Sequence, residues 1–128
     1  MKTQILCAMR DGSAVIPALR TLEDEQDCAF RMVQSGEGAL SAAKKCRPDI
    51  LVIDAVLPLM DGLAAANNIR HLSNSDAKKV PIIAMTANAF EDDIEKSKAA
   101  GMNAHLAKPI EPQRLYQTLY DFIFGKED

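Results

Sequence analysis

The chain has 128 residues, 48% of them hydrophobic and 26% charged, and a formal net charge of −3. That length holds one domain with a proper core, spanning residues 1–128, and the weakly acidic balance gives no global attraction to nucleic acid or anionic membranes. No apolar run reaches transmembrane length, and the opening MKTQILCAMRDG is too short and too soon polar for a signal peptide. Cys7, Cys28 and Cys46 show no CxxC or Cys/His metal spacing. They read as small reduced core residues, which points to a cytoplasmic protein.

Short apolar runs alternate with helical patterns from end to end. Gln4 to Met9 reads as a first strand, and Gly12-Ser13 as a turn and N-cap. Val15, Leu19 and Leu22 recur at helical spacing, with Pro17 making the helix start irregular. Cys28 to Val33 is a second strand, followed after Ser35-Gly36 by a helix carrying Leu40 and Ala43. Asp49 to Asp54 is the third strand. Its Ile50-Leu51-Val52-Ile53 run is continuous, as in a parallel strand covered on both faces. Ala65, Ile69 and Leu72 give a third helix, and the polar stretch 73–79 leads to a fourth strand, Pro81 to Met85. A charged helix then runs from Ala89 to a stop at Gly101, Ala104 to Ala107 forms a fifth strand, and the last helix spans Pro112 to Phe124. Five βα units of this kind predict a doubly wound α/β domain on a five-stranded parallel sheet.

In such folds ligands gather where the strands end. The first strand ends at Met9-Arg10-Asp11, the third at Asp54, the fourth at Thr86 and the fifth at Lys108-Pro109. No Ser or Cys is paired with a base, so a hydrolase triad is not indicated, and no glycine-rich loop offers a dinucleotide or NTP site. The set suits an aspartate that attacks phosphorus and carries the phosphoryl group. Lys108 would neutralise one phosphoryl oxygen and Thr86 would donate to another, while a hard cation such as Mg2+ would bridge carboxylates and phosphate.

RPDILVIDAVLPLMDG, VPIIAMTANAF and AAGMNAHLAKPI, in that order and with 32 and 22 residues separating Asp54, Thr86 and Lys108, resemble the receiver domain of two-component response regulators. The resemblance implies the flavodoxin-like strand order 2-1-3-4-5. It also implies a phosphorelay module whose Asp54 accepts a phosphoryl group from a histidine kinase or histidine phosphotransferase. Thr86 and His105 would move together as a switch, the main-chain carbonyl of Val56 would join Asp54 on the metal, and Lys108-Pro109 would be a cis peptide. Enzymatic activity would extend at most to self-phosphorylation and autodephosphorylation. The wording around MTANAF and LAKPI is similar to receivers attached to larger proteins, so the chain is expected to be a stand-alone regulator or an excised receiver.

One departure stands out. Family members usually close the first strand with two adjacent acids that hold the metal, and here the text is ILCAMRDG. In one register Met9 and Arg10 fill both acid positions. In the other, preferred because it sets Leu19 on the core face, Arg10 and Asp11 fill them and Asp11 survives as a ligand. Either way an acid is lost, Mg2+ binding is expected to be weak, and Arg10 could contact Asp54 itself. The alternative function is therefore a pseudo-receiver that binds a partner without phosphorylation. A flavin- or nucleotide-binding domain is weaker still, for want of a phosphate loop.

Asp61 reads as the cap of the third helix and His71 as a surface residue. On the last helix, Leu115, Leu119, Phe122 and Ile123 form the expected core stripe. Tyr116, Tyr120 and Phe124 form a second stripe, a candidate surface for a homodimer or output partner on the face made by the fourth helix, fifth strand and last helix.

Overall fold

The computed structural model describes residues 3–10, 12–13, 15–55, 57, 60, 62–72, 79–86, 95–96, 98–108 and 110–125. The strands are β1 (Thr3–Ala8), β2 (Cys28–Val33), β3 (Ile50–Asp54), β4 (Ile82–Thr86) and β5 (Ala104–Ala107). The helices are α1 (Ile16–Glu25), α2 (Gly36–Cys46), α3 (Gly62–Arg70) and α4 (Pro112–Phe124). All strand pairings are parallel, in the order β2-β1-β3-β4-β5. The expected helix between Ala89 and Gly101 falls mostly outside the described residues; 95, 96, 98 and 99 are helical.

β3 explains the sheet. Leu51 and Ile53 pack with Ala39, Ala43, Ala65 and Ile69 of α2 and α3, whereas Ile50 and Val52 pack with Leu19, Leu22, Leu115 and Leu119 of α1 and α4. Alternate residues of a strand point to opposite faces, so a strand covered twice must be apolar at every step. Parallel crossovers with helices on both faces supply that cover.

Local chemistry sets the ends. Ser35 caps α2 by accepting from the Gly38 amide at 2.9 Å. The expected Ser13 cap gives way to Val15, whose position is stabilised because the Gly12 carbonyl accepts from the amides of Val15 and Ile16 at 3.0 and 2.9 Å. Pro17 then falls in the first turn, where a missing N–H costs nothing. On α4, Leu115 and Leu119 are buried and Ile123 continues their stripe; Phe122 is exposed. The i+4 step from Leu119 lands on Ile123, which takes the place the sequence reading gave to both.

Gly62 opens α3 directly beneath the functional edge, its amide donating to the Ala55 carbonyl at 3.1 Å. A Cβ there would collide with the carbonyl oxygen of Asp54 and crowd the Ala55 Cα. Both are backbone and cannot swing aside. Gly62→Ala should therefore lower stability by about 1–3 kcal/mol, as overpacking does. An unchanged urea midpoint would show that α3 shifts freely against β3.

Candidate functional site

Asp54 is the last residue of β3 and the one polar residue among the described buried set, at 6% exposure. It lies level with Met85 of β4. Continuing the β1–β3 register one step beyond the Ala8–Ile53 pair sets Met9 on its other side. Met9 is buried with Ile5 and Cys7, and its amide donates to the Val33 carbonyl at 3.0 Å, extending the ladder past the strand proper. A carboxylate in so apolar a place needs a counter-charge. Lys108 supplies it: the ammonium lies 2.8 Å from both Oδ1 and Oδ2 of Asp54.

Lys108 follows β5 immediately, and its amide donates to the Thr86 carbonyl at 2.8 Å. That bond fixes the lysine backbone, so the side chain reaches across β4 toward β3. Its side chain keeps 33% exposure against 9% for that of Asp54. A cavity of about 220 Å³, bordered by Leu106, Ile110, Glu111, Arg114 and Leu115, lies against Lys108.

Thr86 ends β4 one residue beyond the level of Asp54 and is half-buried. It shares a sheet face with His105, since Thr86 pairs with Ala107 and His105 with Ala84. The His105 Nε2 is buried and has no hydrogen-bond partner among the described residues. Burial, and secondarily the charge of Lys98, hold its pKa below the ordinary 6.5.

Of the remaining expected residues, Arg10 is exposed at a bend, and the described ion pair on Asp54 belongs to Lys108. Asp11, Val56, Asp61 and Pro109 lie outside the described residues. His71 is exposed, with Nδ1 2.7 Å from the Asn67 carbonyl oxygen. Cys7 and Cys28 are free and buried. Burial, with a further push from the Asp54 charge, raises the Cys7 thiol to about 12, so it stays protonated beside the site.

Of the donor set expected for a divalent cation, Asp54 is the described member. A hard cation wants several oxygen ligands. Among the described residues no group of three or more His, Cys, Asp or Glu could hold a metal, and the one carboxylate at the edge already faces an ammonium. Level with it on β1 stands the Met9 thioether. The other expected ligands, Asp11 and the Val56 carbonyl, lie outside the described residues.

A cluster that the sequence reading missed ties the far end of β5. Arg70, in the last turn of α3, donates to the Gly101 carbonyl through Nε at 3.1 Å and through Nη2 at 2.7 Å. The same Nη2 reaches Asn103 Oδ1 at 2.9 Å, and that oxygen also accepts from the Ile82 amide at 2.8 Å. Gly101, at φ +96, leaves room for the guanidinium stem. The visible signal was only a cation in a helix's last turn and a Gly-x-Asn before a strand.

A parallel 2-1-3-4-5 sheet with an aspartate and a lysine meeting at its carboxyl edge defines the receiver class of signalling domains. The chain belongs to the response regulator receiver domain family, whose model matches residues 7–120. It is 34% identical over 118 residues to the signal transduction histidine-protein kinase BarA of Escherichia coli K12, covering 92% of this chain and 13% of BarA. It is likewise 34% identical over 96 residues to the transcription factor SKN7 of Saccharomyces cerevisiae, covering 75% of this chain and 15% of that protein. The chain thus spans a small part of these curated relatives. Among solved structures, the receiver domain of the sensor histidine kinase PA1611 from Pseudomonas aeruginosa superposes with a TM-score of 0.82 at 34% identity, covering 97% of this chain and 99% of that one. That structure holds a magnesium ion coordinated in its active site cleft. The chemotaxis response regulator CheY4 of Vibrio cholerae gives 0.84 at 26% identity, over 96% and 100% of the two chains. No helix among the described residues is long and apolar enough to cross a membrane.

Lys108→Met should cost about 1–3 kcal/mol at neutral pH, at the low end for a broken buried pair because the lysine is a third exposed. In an Asp54→Asn background the same substitution should cost almost nothing, and additive losses in urea melts would mean the two residues do not support each other. His105 gives a pH signature. Near pH 6.5 the unfolded chain binds a proton on this ring that the folded protein does not, so stability is lost as pH falls from there toward the depressed folded value. His105→Phe should flatten the decline in melting temperature between about pH 7.5 and about pH 5.5. Parallel curves for the two proteins would contradict this.

Proposed function

We propose that the chain is a phosphoacceptor receiver domain of a two-component phosphorelay, with Asp54 as the acceptor. The observation that carries the reading is the buried Asp54 held by Lys108 at the carboxyl edge of β3. One carboxylate oxygen attacks phosphorus. The bond from phosphorus to the donor breaks, and the donor leaves with its electron pair. Lys108 stays with the transferred group, whose charge of roughly −1.5 to −2 replaces the carboxylate as its partner. The Thr86 hydroxyl donates to a phosphoryl oxygen, and His105, on the same sheet face, follows Thr86 and reports the change.

The donors are a histidine kinase or a histidine phosphotransferase, a reading supported by the kinase relatives. The protein acts on itself alone, by self-phosphorylation and autodephosphorylation, in the cytoplasm, where buried free thiols persist. For a dimer or output partner we propose the aromatic stripe of α4. Tyr116 and Tyr120 stack with centroids 6.2 Å apart, Tyr120 and Phe124 meet at 4.8 Å, and Phe124 is 45% exposed. Mg2+ at Asp54, Asp11 and the Val56 carbonyl is the donor set that the family resemblance implies. Of that set, Asp54 is the described member, and the ion would supply charge neutralisation to the transferred group.

A second reading, a partner-binding module that needs no phosphorylation, is favoured by Met9 and Arg10 at the rim and by the lysine spanning both acceptor oxygens. It requires that Asp54→Asn leave partner affinity unchanged.

Acetyl phosphate or a phosphorylated histidine donor should add one phosphoryl mass to the intact protein, and Asp54→Asn should abolish the adduct. Failure to form an adduct with either donor would sink the phosphoacceptor reading.

A further inference from the structure

The segment 55–61 joins β3 to α3 and so follows Asp54 directly. Its near end is tied to the sheet, where the Ala55 amide donates to the Met85 carbonyl at 2.9 Å. Its far end runs into Gly62, which lies so close to the Asp54 and Ala55 backbone that no side chain fits. Two residues before Gly62, a second contact of the same kind comes from a different helix. Gly36 opens α2, and a Cβ on it would collide with the Met60 carbonyl oxygen and stand 3.0 Å from the Met60 Cβ and Cγ. The oxygen belongs to the backbone, so it cannot swing aside unless the segment moves.

Gly36 is itself held in place. The Ser35 Oγ accepts from the Gly38 amide at 2.9 Å, and the Ser35 carbonyl accepts from the Ala39 amide at 3.0 Å. Val33 and Leu40, on either side of this turn, pack with Met60 against the core that holds Leu57. A close-packed interior has no slack to absorb a displacement. A methyl group at Gly36 would therefore push Met60, and the push would reach Gly62 and the backbone of Asp54.

We propose that Gly36 is a positioning residue for phosphoryl transfer. Its missing side chain lets the start of α2 fix Met60, and through Met60 the segment 55–61, against the edge where Asp54 lies. The proposal rests on the phosphoacceptor reading and adds to it no group that touches phosphorus. Gly36 acts through the Met60 and Gly62 backbones, and its effect on rate comes from geometry. Misplacing reacting groups by about 1 Å costs on the order of a hundredfold. Gly38, in the same turn, supplies the contrast. A Cβ there would stand 3.1 Å from the Ser35 Oγ and 3.3 Å from the Val33 Cβ, neither of them in the segment after β3.

Intact-mass time courses with acetyl phosphate in Mg2+ buffer, run well below each variant's melting temperature, test this on the whole chain. Gly36→Ala should slow adduct formation by about tenfold or more, and Gly38→Ala by less than about twofold. A merely structural role would lower the melting temperature and leave the rate of the folded protein alone. Met60→Gly, whose backbone can turn its carbonyl aside, should restore to Gly36→Ala whichever was lost, folding or rate. A double variant that restores neither overturns the proposal, as does a wild-type rate in Gly36→Ala or an equal loss in Gly38→Ala. No adduct in the wild-type protein overturns the phosphoacceptor reading instead. The amide resonances of Ala55, Leu57 and Gly62 then still decide the positioning: it requires that they move in Gly36→Ala and stay in Gly38→Ala, and any other pattern overturns it.

Discussion

The structure is organised around a carboxylate that would be untenable alone. Asp54 closes a strand whose other four residues are fully buried, and water reaches only 6% of it. Removing one partner from a buried pair commonly costs about 3–5 kcal/mol, less where one member is exposed as Lys108 is. The pair therefore constrains elements far apart in sequence. β5 must stop where Lys108 can turn back, which the Lys108 amide to Thr86 carbonyl bond arranges, and β4 must lie between β3 and β5. Cys7, two steps from the edge on β1, is kept neutral by its own burial and, secondarily, by the same negative charge.

The sheet separates two kinds of surface. Met9, Met85 and Leu106 belong to the side of α1 and α4, the side on which Asp54 falls by alternation. Thr86 and His105 fall on the opposite side, with Ala84. A change at the carboxylate can reach the second face by a short covalent and hydrogen-bonded route, through Lys108 and the Thr86 carbonyl. The Arg70 clasp bears on the same strand. It fixes Gly101 and Asn103 before β5 begins and leaves the strand's other end, from His105 to Lys108, held by the ion pair and by sheet bonds. A strand pinned firmly at one end and conditionally at the other is suited to moving at the conditional end. The unsatisfied His105 Nε2 marks where the packing is least settled.

Much of this was legible because a parallel sheet writes itself plainly. The bounds of β2, β5 and α4 agree with the periodicity, and the unbroken Ile50–Ile53 run announced two covered faces before any pairing was known. Asp54 and Lys108 were identifiable as strand-end residues of opposite charge. What the sequence withheld depends on contacts between distant residues. It could not show that one lysine spans both oxygens of Asp54, nor that Arg70 folds over a glycine 31 residues away. It also left the end of β1 ambiguous, since MRD can be laid against the edge in two registers. The Ala8–Ile53 pairing puts Met9 level with Asp54 and Arg10 at the following bend, while Asp11 falls outside the described residues.

Met9 and Met85, level with Asp54 on the two neighbouring strands, have an energetic consequence. Two thioethers in place of polar neighbours lower the local dielectric response, and the Asp54–Lys108 attraction grows accordingly. A strong resting pair stabilises the unmodified state, so any group that replaces the carboxylate as partner of Lys108 must interact with the edge more favourably than the carboxylate does. Shifting a two-state equilibrium from 1:99 to 99:1 takes about 5.5 kcal/mol of such preference. On the phosphoacceptor reading proposed above, a dianionic group that gains Lys108 and the Thr86 hydroxyl gathers contacts of about 1.5–3 kcal/mol each, before the cost of ordering the side chains. Those magnitudes are comparable. Tight apolar packing around Asp54 thus raises the threshold for any such exchange of partners.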